Sequence, residues 1–273
     1  MTLVSTEWLN DNLNKVKIFD ASWHLLASRN GFKEYQKEHI ENAIFFDLDK
    51  HSNQQKEMPH NHFLPEKKQW EATLSTMGIS NNDRVIIYDN SDLISSCRCW
   101  FQFIYFGHSP NLVFILDGGL KKWKLEKRKV ISQETKIIPS KYLAKENEHF
   151  VKNKLQISEN INKKEFVLVD ARSKKRFLGL VPEPRPNVRS GAIEGSKCLP
   201  FSECINPKDN TFLNKNILEE KFKSIGIIDD KNAVFTCGSS VTASVLGVAY
   251  SLINNKYMPI IYIGSWSEYG KIK

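Results

Sequence analysis

A helix-like stretch and the apolar run after it occur twice in this chain, and the copies lie 148 residues apart. In residues 65–77, Trp70, Leu74 and Met77 recur at i, i+4 and i+7, and Gly78 follows. In residues 216–225, Leu218, Phe222 and Ile225 recur the same way, and Gly226 follows. That spacing places the apolar side chains on one helical face, and a glycine just past the last of them is a common C-terminal stop. Each predicted helix leads into a short apolar run, RVIIYD (84–89) and AVFTC (233–237), so Asp89 and Cys237 hold matching places. With small drifts the match extends to KIFDAS (17–22) and LVDARS (168–173), to HIENA (39–43) and AIEGS (192–196), and to FILDGG (114–119) and IYIGSW (261–266).

Short buried strands alternating with helices predict parallel sheets covered on both faces. The repeat therefore predicts an α/β protein of two tandem domains, 1–132 and 149–273, joined by a polar linker over 133–148. Two copies are too few for a solenoid, which needs a longer stack of repeats. With 273 residues, 41% of them hydrophobic and 26% charged, each half can build its own core.

Lys and Arg outnumber Asp and Glu by 39 to 31, a net charge of +8. No run of five like charges and no Arg/aromatic cluster accompanies the excess, so it reads as solvated lysines that mildly favour small anions. No nucleic-acid partner is expected. Five cysteines without a CxxC pair argue against a disulfide scaffold and against zinc, and fit a reducing compartment. The opening MTLVSTEWLNDNL has neither the basic nor the apolar segment of a secretory signal, so a cytoplasmic location is expected. Residues 233–253 carry no charge, but their Thr, Ser and Gly content is too polar for a membrane span. They predict strand, turn and helix, and no membrane partner.

In open α/β sheets ligands sit beyond the carboxyl ends of the strands. Among the loops that follow IIYD, FILD, VFT and IYI, one begins with a cysteine: Cys237-Gly238-Ser239-Ser240-Val241-Thr242, leading into a helix that runs to Asn254. A thiol there meets loop N–H groups that can converge on the sulfur and the positive end of a helix dipole. Both stabilise the reactive thiolate. The remaining cysteines, Cys97, Cys99, Cys198 and Cys204, sit in apolar surroundings and read as packing residues. A cysteine in a six-residue loop suits phosphoryl chemistry or sulfur transfer. The loop has no arginine to clamp a phosphate, which favours sulfur transfer.

The duplication, the loop CGSSVTA (237–243), LDGGLKKW (116–123), GSWSEYG (264–270) and RFLGLVPEPRP (176–186) together resemble the rhodanese superfamily, and within it the 3-mercaptopyruvate sulfurtransferases. The resemblance implies two five-stranded parallel domains, the first without its cysteine, with an active site where they meet. Asp89 in the cysteine's place agrees. It implies that Cys237 takes sulfur as a persulfide from a small anionic donor and passes it to a thiol, thioredoxin or cyanide, with no cofactor and no metal. By motif, the arginines that hold the donor's carboxylate and keto oxygens fall on Arg176 and Arg185. Gly238, Ser240, Val241 and Thr242 complete the donor loop. Arg172, Arg189 and Lys197 are read instead as surface or interdomain salt bridges. A proton relay of Ser, His and Asp falls on Ser239, His62 and Asp49, with His60 and Asp47 as rivals. Ser240 stands where relatives carry Gly, Ala192 where they carry His, and Ile263 where they carry Asp. A thiosulfate:cyanide sulfurtransferase and a non-catalytic sulfur carrier are the alternatives.

Overall fold

Val85–Tyr88 and Ala233–Thr236 are runs of four residues that are buried throughout, and each becomes the middle strand of a parallel sheet. The computed structural model describes residues 2–53, 62–227, 232–254 and 256–272. It divides into two compact units. The first comprises Met1–Asn53, Leu64–Asn147 and Pro207–Phe212; the second takes His62 and Phe63 together with Glu148–Asn206 and Leu213–Lys273.

The first unit contains, in chain order, β1 (Leu3–Val4), α1 (Thr6–Asn10), β2 (Lys17–Asp20), α2 (Gly31–Lys37), β3 (Ala43–Phe45), α3 (Lys67–Thr76), β4 (Val85–Tyr88), α4 (Ser96–Tyr105), β5 (Val113–Leu116) and α5 (Gly119–Leu125). Its five strands lie in the order β1-β5-β4-β2-β3, all parallel. One layer of its core joins Leu9, Ile18, Tyr35, Ile86, Leu116 and Trp123. Trp70 from α3 stacks on Phe106 at 4.9 Å between ring centroids, and meets Phe103 edge-on at 5.3 Å. The segment Pro207–Phe212 is tied into this unit by the Phe212 N–H, which donates to Asp117 Oδ1 at 2.9 Å, and by Lys121 Nζ, which donates to the Pro207 carbonyl at 2.7 Å.

The second unit contains β6 (Val151–Lys152), α6 (Lys154–Lys163), β7 (Val167–Asp170), α7 (Lys174–Phe177), β8 (Lys197–Cys198), α8 (Lys215–Ser224), β9 (Ala233–Thr236), α9 (Val241–Ile253), β10 (Ile261–Tyr262) and α10 (Ser265–Tyr269). The order β6-β10-β9-β7-β8 reproduces the first sheet strand for strand, again parallel. The repeat read from sequence is realised closely: α3 and α8, and β4 and β9, begin and end 148 residues apart. Gly78 and Gly226 follow these helices in the left-handed region, with φ of +71° and +81°. An L side chain is disfavoured there, which is why both helices stop at glycine. The uncharged stretch 233–253 is β9, a four-residue loop and α9, and α9 is buried from Val241 to Tyr250. Among the described residues no helix is long and apolar enough to cross a membrane, and no cluster of three or more His, Cys, Asp or Glu could hold a metal ion.

Candidate active site

β9 ends at Thr236, and Cys237 begins the loop at the carboxyl edge of the second sheet. Its backbone is held from two sides. The Trp266 N–H donates to the Cys237 carbonyl at 2.9 Å, and the Ser267 N–H donates to the Gly238 carbonyl at 3.0 Å. The first unit repeats one of these bonds, with the Leu120 N–H donating to the Asp89 carbonyl at 2.9 Å. Asp89 has no nucleophile to offer. Its carboxylate instead accepts the N–H groups of Ser91 (2.7 Å) and Ser96 (2.9 Å), capping its own loop, and burial pushes its pKa up.

The loop N–H groups do not all converge on the sulfur, which departs from the expectation above. Ser265 Oγ accepts the N–H of Ser240 at 3.0 Å and that of Cys237 at 3.5 Å, while donating to the Tyr262 carbonyl at 2.9 Å. The N–H groups of Gly238, Ser239, Val241 and Thr242 have no acceptor among the described residues. They remain for an anion at the N-terminus of α9. Ser265 is a site residue that sequence reasoning missed. The available signal was a serine where its structural counterpart in the first repeat is Gly119, both at positive φ.

Ser240 has φ of +63°, so the serine standing in place of glycine does occupy the left-handed region. Its hydroxyl donates to the Ser239 carbonyl at 2.7 Å, and its own carbonyl accepts the Ser244 hydroxyl at 2.9 Å.

Ser239 is buried, and its hydroxyl is shared. His62 Nδ1 lies 2.9 Å from Ser239 Oγ, and Arg185 Nη2 donates to the same oxygen at 2.9 Å. Asp49, in the first unit, accepts the Trp23 indole N–H at 2.9 Å. Its rival Asp47 accepts the Lys50 N–H within its own turn. His60 lies outside the described residues.

Arg176 and Arg185 both reach Gly238. A Cβ there would stand 3.1 Å from Arg176 Nη2 and 3.5 Å from Arg185 Nη1, so both guanidinium groups lie beside the same backbone position. Arg176 is anchored by Glu183, whose two oxygens accept its Nε (3.1 Å) and Nη2 (2.5 Å). Arg172 departs from expectation. It is no surface or interdomain bridge but is fully buried inside the second unit, bonded to Asp170 and Glu183 and lying over the Trp266 ring at 4.8 Å. Arg189 stacks over the same ring at 4.4 Å, and Lys197 is exposed at the start of β8. Glu183 also escaped the sequence reading, although it stands inside the EPRP segment that flagged Arg185.

Burial pushes the thiols of Cys97 and Cys99 well up, that of Cys198 to about 11 and that of Cys204 to about 12. These four sulfurs are poor nucleophiles near neutrality.

A family model described as the rhodanese-like domain matches residues 5–126 and again 154–271. The chain belongs to the rhodanese family. It is 36% identical to "Thiosulfate/3-mercaptopyruvate sulfurtransferase 1, mitochondrial" of Arabidopsis thaliana over 98% of this chain and 75% of that one. It is 35% identical to the 3-mercaptopyruvate sulfurtransferase of Mus musculus over 98% of this chain and 91% of that one. Its fold superposes on the crystal structure of SseA from Escherichia coli, a 3-mercaptopyruvate sulfotransferase, with a TM-score of 0.86, 26% identity and coverage of 97% and 99%. The two rhodanese domains are thus present in this chain, and it is a sulfurtransferase.

Proposed function

We propose that this sulfurtransferase uses 3-mercaptopyruvate as donor and carries the sulfur as a persulfide on Cys237. The observation that supports this reading most is the convergence of Arg176 and Arg185 on Gly238, beside a loop that carries no charge of its own. A planar carboxylate and its neighbouring keto oxygen suit two guanidinium forks. The donor's sulfur, at the opposite end of the molecule from the charge, then reaches toward Cys237.

In the proposed reaction the Cys237 thiolate attacks the donor sulfur, an S–S bond forms, and the C–S bond breaks with its electron pair passing to carbon. The donor's thiol proton leaves through Ser239 to His62, and a proton returns to the enolate carbon to give pyruvate. The four loop N–H groups without an acceptor stabilise the anionic persulfide. A thiol, thioredoxin or cyanide then attacks the outer sulfur and restores Cys237, so the kinetics are ping-pong. The reading needs no cofactor and expects a cytoplasmic enzyme, which cell fractionation tests.

Thiosulfate is the second donor to consider, because the Arabidopsis relative is named for both compounds. The test is a donor panel with intact-mass measurement and pyruvate detection. One added sulfur on Cys237 with stoichiometric pyruvate from 3-mercaptopyruvate supports the reading. A strong preference for thiosulfate replaces it, and no sulfur uptake from any donor leaves a binding module.

A further inference from the structure

Around Arg176 the second unit holds an unbroken ladder of alternating charge. Asp170, at the end of β7, accepts Nε and Nη2 of Arg172 at 3.0 Å and 2.6 Å. Two further donors of Arg172 go to the Gly191 carbonyl and to Glu183 Oε1, both at 2.8 Å. Arg172 is therefore buried and held by two carboxylates and a carbonyl, away from any ligand in solvent. Burial alone would lower its pKa, but the bonds and charges of Asp170 and Glu183 outweigh this and hold it above the usual arginine value. Glu183, with a side chain 3% exposed, passes the ladder on to Arg176, which is 21% exposed.

Two consequences follow for the ligand. First, Glu183 occupies the Nε–Nη2 edge of Arg176, so Arg176 can offer a donor only its Nη1 end and the remaining Nη2 proton, beside Gly238. Second, among the described residues of this cluster, the guanidinium groups of Arg172, Arg176 and Arg185 stand against the two carboxylates of Asp170 and Glu183. Whatever else surrounds them, Glu183 takes one positive charge out of the field that a ligand meets beside Gly238.

We propose that Glu183 is a specificity-determining positioning residue: by fixing the edge of Arg176 and cancelling one charge, it tunes the site to a monoanionic sulfur donor and against a dianionic one. This rests on the sulfur-transfer reading above and deepens it. A 2-oxo carboxylate with a neutral thiol carries one charge. Thiosulfate carries two, so it loses more attraction than the monoanion does when Glu183 cancels a positive charge, a difference that counts in a partly buried site where charges are weakly screened. Glu183 need not touch the donor; it acts through Arg176.

The test compares kcat/KM for 3-mercaptopyruvate and thiosulfate in wild type and Glu183→Gln at fixed ionic strength. The substitution frees the Arg176 fork and adds a net charge. The mercaptopyruvate-to-thiosulfate ratio is expected to fall by about tenfold, the effect of one modest charge interaction, with Glu183→Asp recovering part of it. Equal losses for both donors, tracking a lowered melting temperature, would make Glu183 a structural residue only and overturn the proposal. A second measurement does not depend on the variant folding. In wild type, pyruvate should protect Cys237 from iodoacetamide at lower concentration than sulfate, a dianion close in shape to thiosulfate. Better protection by sulfate overturns the proposal. If wild-type Cys237 gains no sulfur from either donor, the sulfur-transfer reading falls instead, and the anion preference is still read from protection.

Discussion

Ser239 Oγ lies 2.9 Å from Nδ1 of His62, a contact between residues 177 positions apart in the chain. Arg185 can only donate to that oxygen, so the serine proton can point at the imidazole, whose second nitrogen then carries hydrogen. This is the geometry of a serine that can pass a proton on. Ser239→Ala should therefore raise KM for 3-mercaptopyruvate, because Arg185 loses a hydrogen bond, and lower kcat, because the relay is cut. His62→Gln should lower kcat with less effect on KM. Steady-state kinetics on both variants check the split; identical changes in the two would show that the pair is a structural contact.

Cys237→Ser should abolish turnover while leaving the fold intact, since the other thiols are held protonated by burial. Cys97→Ser and Cys198→Ser should stay active. Intact-mass measurement after donor treatment should find one added sulfur on wild type and none on Cys237→Ser. An active Cys237→Ser protein refutes the mechanism.

Arg185→Ala and Arg176→Ala should each lower kcat/KM for 3-mercaptopyruvate by about 10–150-fold, the worth of a charge-assisted hydrogen bond of roughly 1.5–3 kcal/mol. Arg172→Ala should behave differently, because Arg172 is buried and bonded to two carboxylates. It should unfold the second unit at lower denaturant, since removing one partner of a buried ion pair costs about 3–5 kcal/mol. Denaturant titration beside the kinetics separates the two classes of arginine.

Ser265→Ala should destabilise the second unit and slow persulfide formation. The hydroxyl accepts two buried N–H groups, and each orphaned group costs roughly 1–3 kcal/mol. The rate of Cys237 alkylation by iodoacetamide, followed against pH, reports whether the loop has loosened. An unchanged profile with unchanged stability would show that Ser265 is dispensable.

Asp20 occupies in the first sheet the place that Asp170 holds in the second, but Ser22 stands where Arg172 would be. Burial, with Asp89 adding to it, raises the Asp20 pKa to about 7, against hydrogen bonds from Ser22 and Tyr88 that lower it. The folded state thus holds a proton that the unfolded chain releases near pH 4. Between about pH 4 and pH 7 stability falls as pH rises, by roughly 1.4 kcal/mol for each pKa unit of difference. Asp20→Asn keeps an oxygen acceptor for Ser22 and carries no charge. It should be more stable than wild type at pH 7, with the gap closing by pH 4. Urea midpoints across that range decide it, and parallel curves for the two proteins would place the titration elsewhere.

The architecture is legible in the amino-acid sequence alone, and so is the position of the proposed nucleophile. Hydrophobic period, strand length and glycine stops are local properties, so α3 and α8, and β4 and β9, pair off from their residues without any knowledge of tertiary contacts. The carboxyl end of a strand is a local address too, and it marks Cys237. Ser265 and Glu183 are not legible in this way: the N–H groups that Ser265 accepts lie 25 and 28 positions away, and Glu183 meets Arg176 and Arg172, 7 and 11 positions earlier, only because the irregular segment after α7 folds back on itself. Arg172 escapes for the same reason, since burial is a property of the packed unit and not of the residue. The grouping of His62 with the second unit and of Pro207–Phe212 with the first also belongs to tertiary structure alone. Local pattern dictates which elements form. Which polar groups meet depends on how the chain is closed over long loops, and that is fixed only when the sheets and helices pack.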